Sequence, residues 1–243
     1  MNSRLMLFLL ALSLSACGAN DAPTATAAAP AAAAAPAIDA QGNVAPALPV
    51  AQGSAPVAGV DYFELPQGAP YAPLDGQVEV AEVFGYTCGH CANFEPLLAA
   101  WKTALPPGVR FTPVPAALGG YWITFAQAFY AAEQLGVREK SHQAMFDALH
   151  LQHSLGPDSS PQQIAAFYAQ YDVDPKTFVD TMQGFAVNAK VNQSRQFAVR
   201  SRIEGTPSLI IDGKYLVPAD TRGYEHMLRT AGYLVAQQRA ASK

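Results

Sequence analysis

The sequence predicts an α/β fold in which a strand–helix–strand unit is separated by an inserted helical segment from a β-hairpin and a terminal helix. Three observations predict it. An apolar run, Val78–Phe84, leads into a helical pattern that begins at Cys88-Gly89-His90-Cys91. Helical periodicity then dominates from Tyr121 to Gly205. Two short apolar runs joined by Asp212-Gly213 follow, with one amphipathic segment after them.

The chain opens on Arg4 and the apolar stretch Leu5–Leu12, too short to span a membrane as a mature helix. This stretch ends in Leu14-Ser15-Ala16-Cys17, which resembles the bacterial lipobox. Residues 1–16 therefore read as a lipoprotein signal peptide and Cys17 as the acylated first residue. The competing reading is an ordinary signal peptide cleaved nearby. That leaves Cys17 as a free thiol in a compartment where thiols oxidise. Residues 17–59 read as a lipid-anchored, disordered Ala/Pro-rich linker. Pro23, Pro30, Pro36, Pro46, Pro49 and Pro56 discourage helix, and little in the segment can build a core.

Tyr62–Leu65 is a short candidate strand. Val78–Phe84 is apolar on both faces, as a central strand requires. From Cys91, the spacing of Phe94, Leu97, Leu98, Trp101 and Leu105 marks an amphipathic helix that stops at Pro106-Pro107-Gly108, with Pro96 kinking it. Val109–Val114 is the next strand, which closes a βαβ unit with a right-handed crossover.

Helices are then expected over Trp122–Leu135 and 138–150. The next starts at Ser160-Pro161-Gln162-Gln163, an N-cap with Pro at N1 and a capping-box Gln. Asp174-Pro175 starts another, stopped by Gly184, and a long helix runs from about 187 to 204. Ser208–Ile211 and Lys214–Val217 flank Asp212-Gly213, a strong hairpin signal. The last helix is expected from about Asp220, burying Tyr224, Met227, Leu228, Ala231, Leu234 and Val235. The organisation is thus residues 60–118 and 205–243 as one α/β domain, with 119–204 as its helical insertion.

The chemistry centres on two of the three cysteines. A helix starting at Cys88 directs unpaired backbone N–H groups and a positive dipole end at its sulfur, favouring the thiolate that attacks disulfides. The alternative is half of a zinc site, which needs two more ligands. His150 and His153 are close together but read as a solvent-facing helix end, so no metal and no cofactor is called for. With 15 basic and 19 acidic residues and no basic run, nucleic-acid binding has no support.

A CxxC helix in a βαβ unit, followed by a β-hairpin and a terminal helix, resembles the thioredoxin fold. The helical insertion resembles the DsbA family of periplasmic thiol oxidases. Glu82, Cys88-Gly89-His90-Cys91, Phe94-Glu95 and Thr206-Pro207 carry the resemblance over roughly residues 60–240. The dipeptide Gly-His departs from the Pro-His of the best-known DsbA and is similar to that of protein disulfide isomerase.

The resemblance implies a redox-active Cys88–Cys91 disulfide, with Cys88 as the exposed nucleophile and Cys91 as its buried partner. His90 lies between them, where its ring donates a hydrogen bond to the Cys88 sulfur or adds positive charge. It implies a cis Pro207 packed against this pair, with Thr206 contacting substrate. Glu82 shares a strand face with Val78, Val80 and Phe84. It sits either at a strand end in water or buried with a raised pKa, trading protons with Cys91, and the resemblance favours burial. Glu95 reads as a surface charge that weakly tunes the site.

The function expected is a periplasmic thiol:disulfide interchange protein that introduces disulfides into reduced exported proteins. The resemblance implies reoxidation by a DsbB-type quinone-linked membrane oxidase. The alternatives are a disulfide isomerase or reductase and a redox-dependent chaperone or binding module. Isomerases of this kind are dimers with a folded N-terminal dimerisation domain. Residues 19–58 cannot supply one, so a monomeric oxidase is expected.

Overall fold

A computed structural model describes residues 54–241 of the 243-residue chain; the leader, Cys17 and most of the linker lie outside the described residues. The folded part starts slightly before residue 60. Val57–Val60 turn back so that the Val57 N–H reaches the Asp61 carboxylate and the Gly59 N–H donates to the Tyr62 carbonyl.

One five-stranded sheet organises the chain. Its strands are β1 (Phe63–Glu64), β2 (Val78–Phe84), β3 (Val109–Pro115), β4 (Ser208–Ile211) and β5 (Tyr215–Pro218), in the order β1-β5-β4-β2-β3. β2 runs parallel to β3 and antiparallel to β4, and all seven of its residues are buried. β3 carries Pro113 and Pro115 without loss because it is an edge strand. β4 and β5 form the expected hairpin. Asp212 (φ 53°) and Gly213 (φ 67°) occupy the two left-handed positions that a type I′ turn demands. A Cβ on Gly213 would lie 2.1 Å from the Ala69 backbone, so glycine is required twice over.

Helices α1 (Gly89–Thr103) and α7 (Tyr224–Ala241) cover one face of the sheet. Val78, Val80, Leu209, Ile211 and Val217 pack there against Phe94, Leu98, Trp101, Leu234 and Val235. Between β3 and β4 comes the insertion: α2 (Tyr121–Gln134), α3 (Arg138–His150), α4 (Pro161–Tyr168), a 3₁₀ turn (Ala169–Tyr171), α5 (Pro175–Gln183) and α6 (Phe185–Arg200). Its core of Phe125, Phe129, Met145, Phe146, Ile164, Tyr168 and Phe178 is continuous with Phe84 and Tyr86 at the end of β2. The insertion therefore builds one wall beside the CxxC loop. The predicted caps are present: Ser160 with Gln163 forms a full capping box, and Asp174 accepts from the Thr177 N–H.

Three boundaries differ from expectation for identifiable reasons. α1 ends at Thr103 and leaves Leu97 on its exposed side. α6 ends at Arg200 rather than 204. Arg202 adopts a left-handed conformation (φ 53°), the Ile203 N–H donates to the Ala198 carbonyl and the Arg202 N–H to the Val199 carbonyl. This is a Schellman stop with arginine where glycine is usual. α7 starts at Tyr224 because Asp220 closes a separate turn. It accepts from the Arg222 N–H through its side chain and from the Gly223 N–H through its carbonyl.

Candidate active site

The site lies where the C-terminal end of β2 meets the start of α1 and the loop before β4. Gly85 opens the turn: a Cβ there would lie 2.0 Å from the Trp122 ring, so no side chain fits. Cys88 is the N-cap of α1, with extended backbone (φ −90°, ψ 112°), and its sulfur takes the capping role usually filled by an oxygen. Cys88 Sγ accepts from the Cys91 N–H at 3.2 Å, and its thiol reaches the Thr206 carbonyl at 3.5 Å. Both cysteines are free thiols, Cys88 partly exposed and Cys91 buried.

Their environments split the pair. The hydrogen bond from the Cys91 thiol lowers Cys88 most. Partial burial opposes it, and the Thr206 side chain and the backbone N–H groups of Cys91 and His90 add to it, bringing Cys88 to about 5. Burial pushes the Cys91 thiol far up, and its thiol proton is held towards the Cys88 sulfur. One exposed thiolate beside one buried thiol is the asymmetry that a disulfide exchanger needs.

The other expected residues divide. Thr206-Pro207 is cis and adjoins Cys88. Glu82 is 1 % exposed, which decides for burial over a strand end in water. Desolvation pushes its pKa well up, and the negative charges of Glu95 and Cys88 push the same way against Lys102. The His90 backbone helps the Cys88 thiolate, but its ring is exposed and directed elsewhere, with Nδ1 3.5 Å from the Tyr224 hydroxyl.

Two expectations fail. Glu95 is not a surface charge: it is 3 % exposed, with Oε1 3.1 Å from Lys102 Nζ and Oε2 3.6 Å from His142 Nε2. It lies one turn beyond Cys91 on the same face of α1, which the insertion covers. His150 does not face solvent either, since its Nε2 lies 2.7 Å from the Tyr86 carbonyl. Tyr224, expected only as core, also belongs here. Its hydroxyl donates to the His90 carbonyl at 3.0 Å while its ring packs on Phe94.

Beside Thr206 and Pro207 lies a cleft of about 440 Å³, walled by Phe63, Leu65, Leu216 and Pro218 and edged by Arg202 and Glu204. Among the described residues, no group of three or more His, Cys, Asp or Glu side chains is placed to hold a metal. No helix among them is long and apolar enough to cross a membrane.

Residues 101–223 match the family model of the DSBA-like thioredoxin domain, a stretch that begins after the CxxC motif and spans the whole insertion. The chain is 34% identical to the thiol:disulfide interchange protein DsbA of Pseudomonas aeruginosa, over 79% of this chain and 90% of that protein. The chain belongs to the DsbA family of thiol:disulfide oxidoreductases. A DsbA of Azotobacter vinelandii is 36% identical over 75% of this chain and 85% of its own length. Among solved structures, the oxidoreductase DsbA from Xylella fastidiosa superposes with a TM-score of 0.75 and 45% identity, covering 77% of this chain and all of that one. The family thus accounts for the thioredoxin-like sheet and its helical insertion together.

Proposed function

We propose that this DsbA-family chain is a dithiol oxidase of the periplasm that introduces disulfides into reduced exported proteins through Cys88 and Cys91. The observation that carries the reading is the split between the two cysteines: Cys88 caps α1 as a readily ionised, accessible sulfur, and Cys91 is buried with its proton held.

In the oxidised protein a substrate thiolate attacks Cys88 Sγ. The Cys88–Cys91 bond breaks and its electron pair goes to the Cys91 sulfur, which takes a proton. Glu82, buried with a raised pKa, is the group assigned to supply that proton. A second substrate thiolate then attacks the substrate sulfur of the mixed disulfide, and Cys88 leaves as the thiolate. Stabilising that thiolate draws the exchange towards substrate oxidation. Thr206 and Pro207, with the cleft beside them, receive the substrate segment. His90 contributes its backbone to the Cys88 sulfur and its exposed ring to the mouth of the site. A DsbB-type quinone-linked membrane oxidase removes the two electrons, and acylated Cys17 holds the protein at a membrane as a tethered monomer.

The test is oxidative refolding of a reduced, disulfide-requiring protein with catalytic amounts of this chain and oxidised glutathione as the terminal oxidant. Wild type is expected to restore activity, and Cys88→Ser to abolish it. Activity only on a scrambled substrate would identify an isomerase. Binding that survives replacement of both cysteines, without oxidation by wild type, would identify a chaperone. Mass spectrometry of the membrane-purified protein tests the anchor, with an acylated N-terminal Cys17 expected.

A further inference from the structure

His142 of α3 contacts both flanks of the CxxC motif. Its Nδ1 lies 2.8 Å from the hydroxyl of Tyr86, two residues before Cys88. Its Nε2 lies 3.6 Å from Oε2 of Glu95, four residues after Cys91. That carboxylate oxygen is buried and accepts no hydrogen bond among the described residues, so the imidazole is the polar group that faces it. The ring is confined by Phe84, Phe129 and Phe146, with centroids 5.3, 6.1 and 5.4 Å away, and its side chain is 12 % exposed.

We propose that His142 is a positioning residue of the redox site, tying the helical insertion to Glu95 and Tyr86 and setting the charge that Glu82 experiences when it exchanges its proton with Cys91. This rests on the proton role of Glu82 given above. The imidazole presents Nε2–H to Glu95 and accepts from the Tyr86 hydroxyl at Nδ1. Burial pushes the Glu95 carboxyl up, but the facing His142 imidazole, followed by Lys102, holds it below its ordinary range. The Glu95 charge in turn acts directly on Glu82.

The groups facing this pair are Glu82 from β2, which also feels Cys88, Tyr86 from the loop, and Lys102 from α1. Arg138 of α3 also faces it, its guanidinium over the Phe129 ring and 3.8 Å from Glu133 of α2. Lys102 remains beside Glu95 when His142 is replaced. Loss of the imidazole that faces Glu95 should then leave its repulsion of the Glu82 carboxylate less offset.

The experiment is the pH dependence of reduction of the oxidised full-length protein by a dithiol peptide, with thermal melting as a folding check. His142→Phe, which keeps an aromatic ring in the aromatic wall, is expected to move the midpoint upward by about half to one pH unit. His142→Gln, which keeps a donor, should move it in the same direction by less. Glu95→Gln should move it downward. Unmoved midpoints in folded His142 variants overturn the proposal, as does a downward shift. If neither His142 variant folds, Glu95→Gln decides, and an unmoved midpoint there overturns it. Glu82→Gln separates the two levels. If it leaves the profile unchanged, the Glu82 role itself fails. If it removes the titration while His142→Phe moves nothing, only the His142 link fails.

Discussion

Acidification should expose the Cys88 thiolate as a break in the pH dependence of the reduction potential. Cys88 titrates at about 5, against 9.0 for an ordinary thiol. At neutral pH the dithiol form therefore gains about two pH units of thiolate stabilisation, roughly 2.7 kcal/mol at 1.36 kcal/mol per unit. Solvent screening at this partly exposed sulfur reduces that to about 2 kcal/mol. For a two-electron couple, about 2 kcal/mol is about 40 mV in the oxidising direction. The sign follows from a depressed folded-state pKa. The stabilisation is complete above the ordinary thiol pKa, shrinks as pH falls, and is gone below about 5. Above that point, reducing the disulfide takes up one proton, on Cys91, and the potential should change by about 30 mV per pH unit; below it two protons are taken up and the slope should be about 59 mV. Equilibration in glutathione redox buffers across this pH range, followed by acid quench and alkylation, measures both slopes. A slope near 59 mV that persists to neutral pH would refute the argument, because Cys88 would then end as a thiol.

Three further outcomes follow from single contacts. Gly89→Pro should raise the thermal midpoint by the equivalent of about 0.4–1 kcal/mol, because Pro suits the first helical position and narrows the unfolded ensemble. An added Cβ meets nothing within 4 Å there, and Cys88 before it is already extended; a lowered midpoint would show that the Gly89 backbone matters in another way. Tyr224→Phe keeps the packing on Phe94 but loses the 3.0 Å bond to the His90 carbonyl, and denaturant unfolding should show a loss of about 0.5–1.5 kcal/mol. Arg110→Met removes the cation 2.8 Å from the fully buried Glu79 carboxylate, so the same assay should show a loss of about 3–5 kcal/mol, and a loss under about 1 kcal/mol would mean that the Tyr71 N–H and Thr112 hydroxyl suffice.

Most of the fold was legible because local signals and tertiary packing agree along this chain. Val78–Phe84 reads as a central strand and lies between two neighbours; Asp212-Gly213 reads as a tight turn and adopts both left-handed angles. The α6 boundary was missed because Arg202 fills a left-handed position that sequence patterns reserve for glycine. In the site, the dithiol was legible from its CxxC spacing at a helix start, and Glu82 and Thr206-Pro207 from the resemblance to the thioredoxin fold. Glu95, His142 and His150 were not, for a physical reason. A polar residue on a helix is assigned to water unless a partner is known, and the partners here, Lys102 apart, come from the other structural unit. The periodicity nevertheless held the signal. Cys91, Glu95, Leu98 and Lys102 fall on one α1 stripe, and His142, Met145, Phe146, Leu149 and His150 fall on one α3 stripe. Where an ionisable residue interrupts an otherwise apolar stripe on each of two helices, the two stripes can satisfy one another. Glu95 and His142 face one another in this way at 3.6 Å, at the seam between the sheet domain and its insertion.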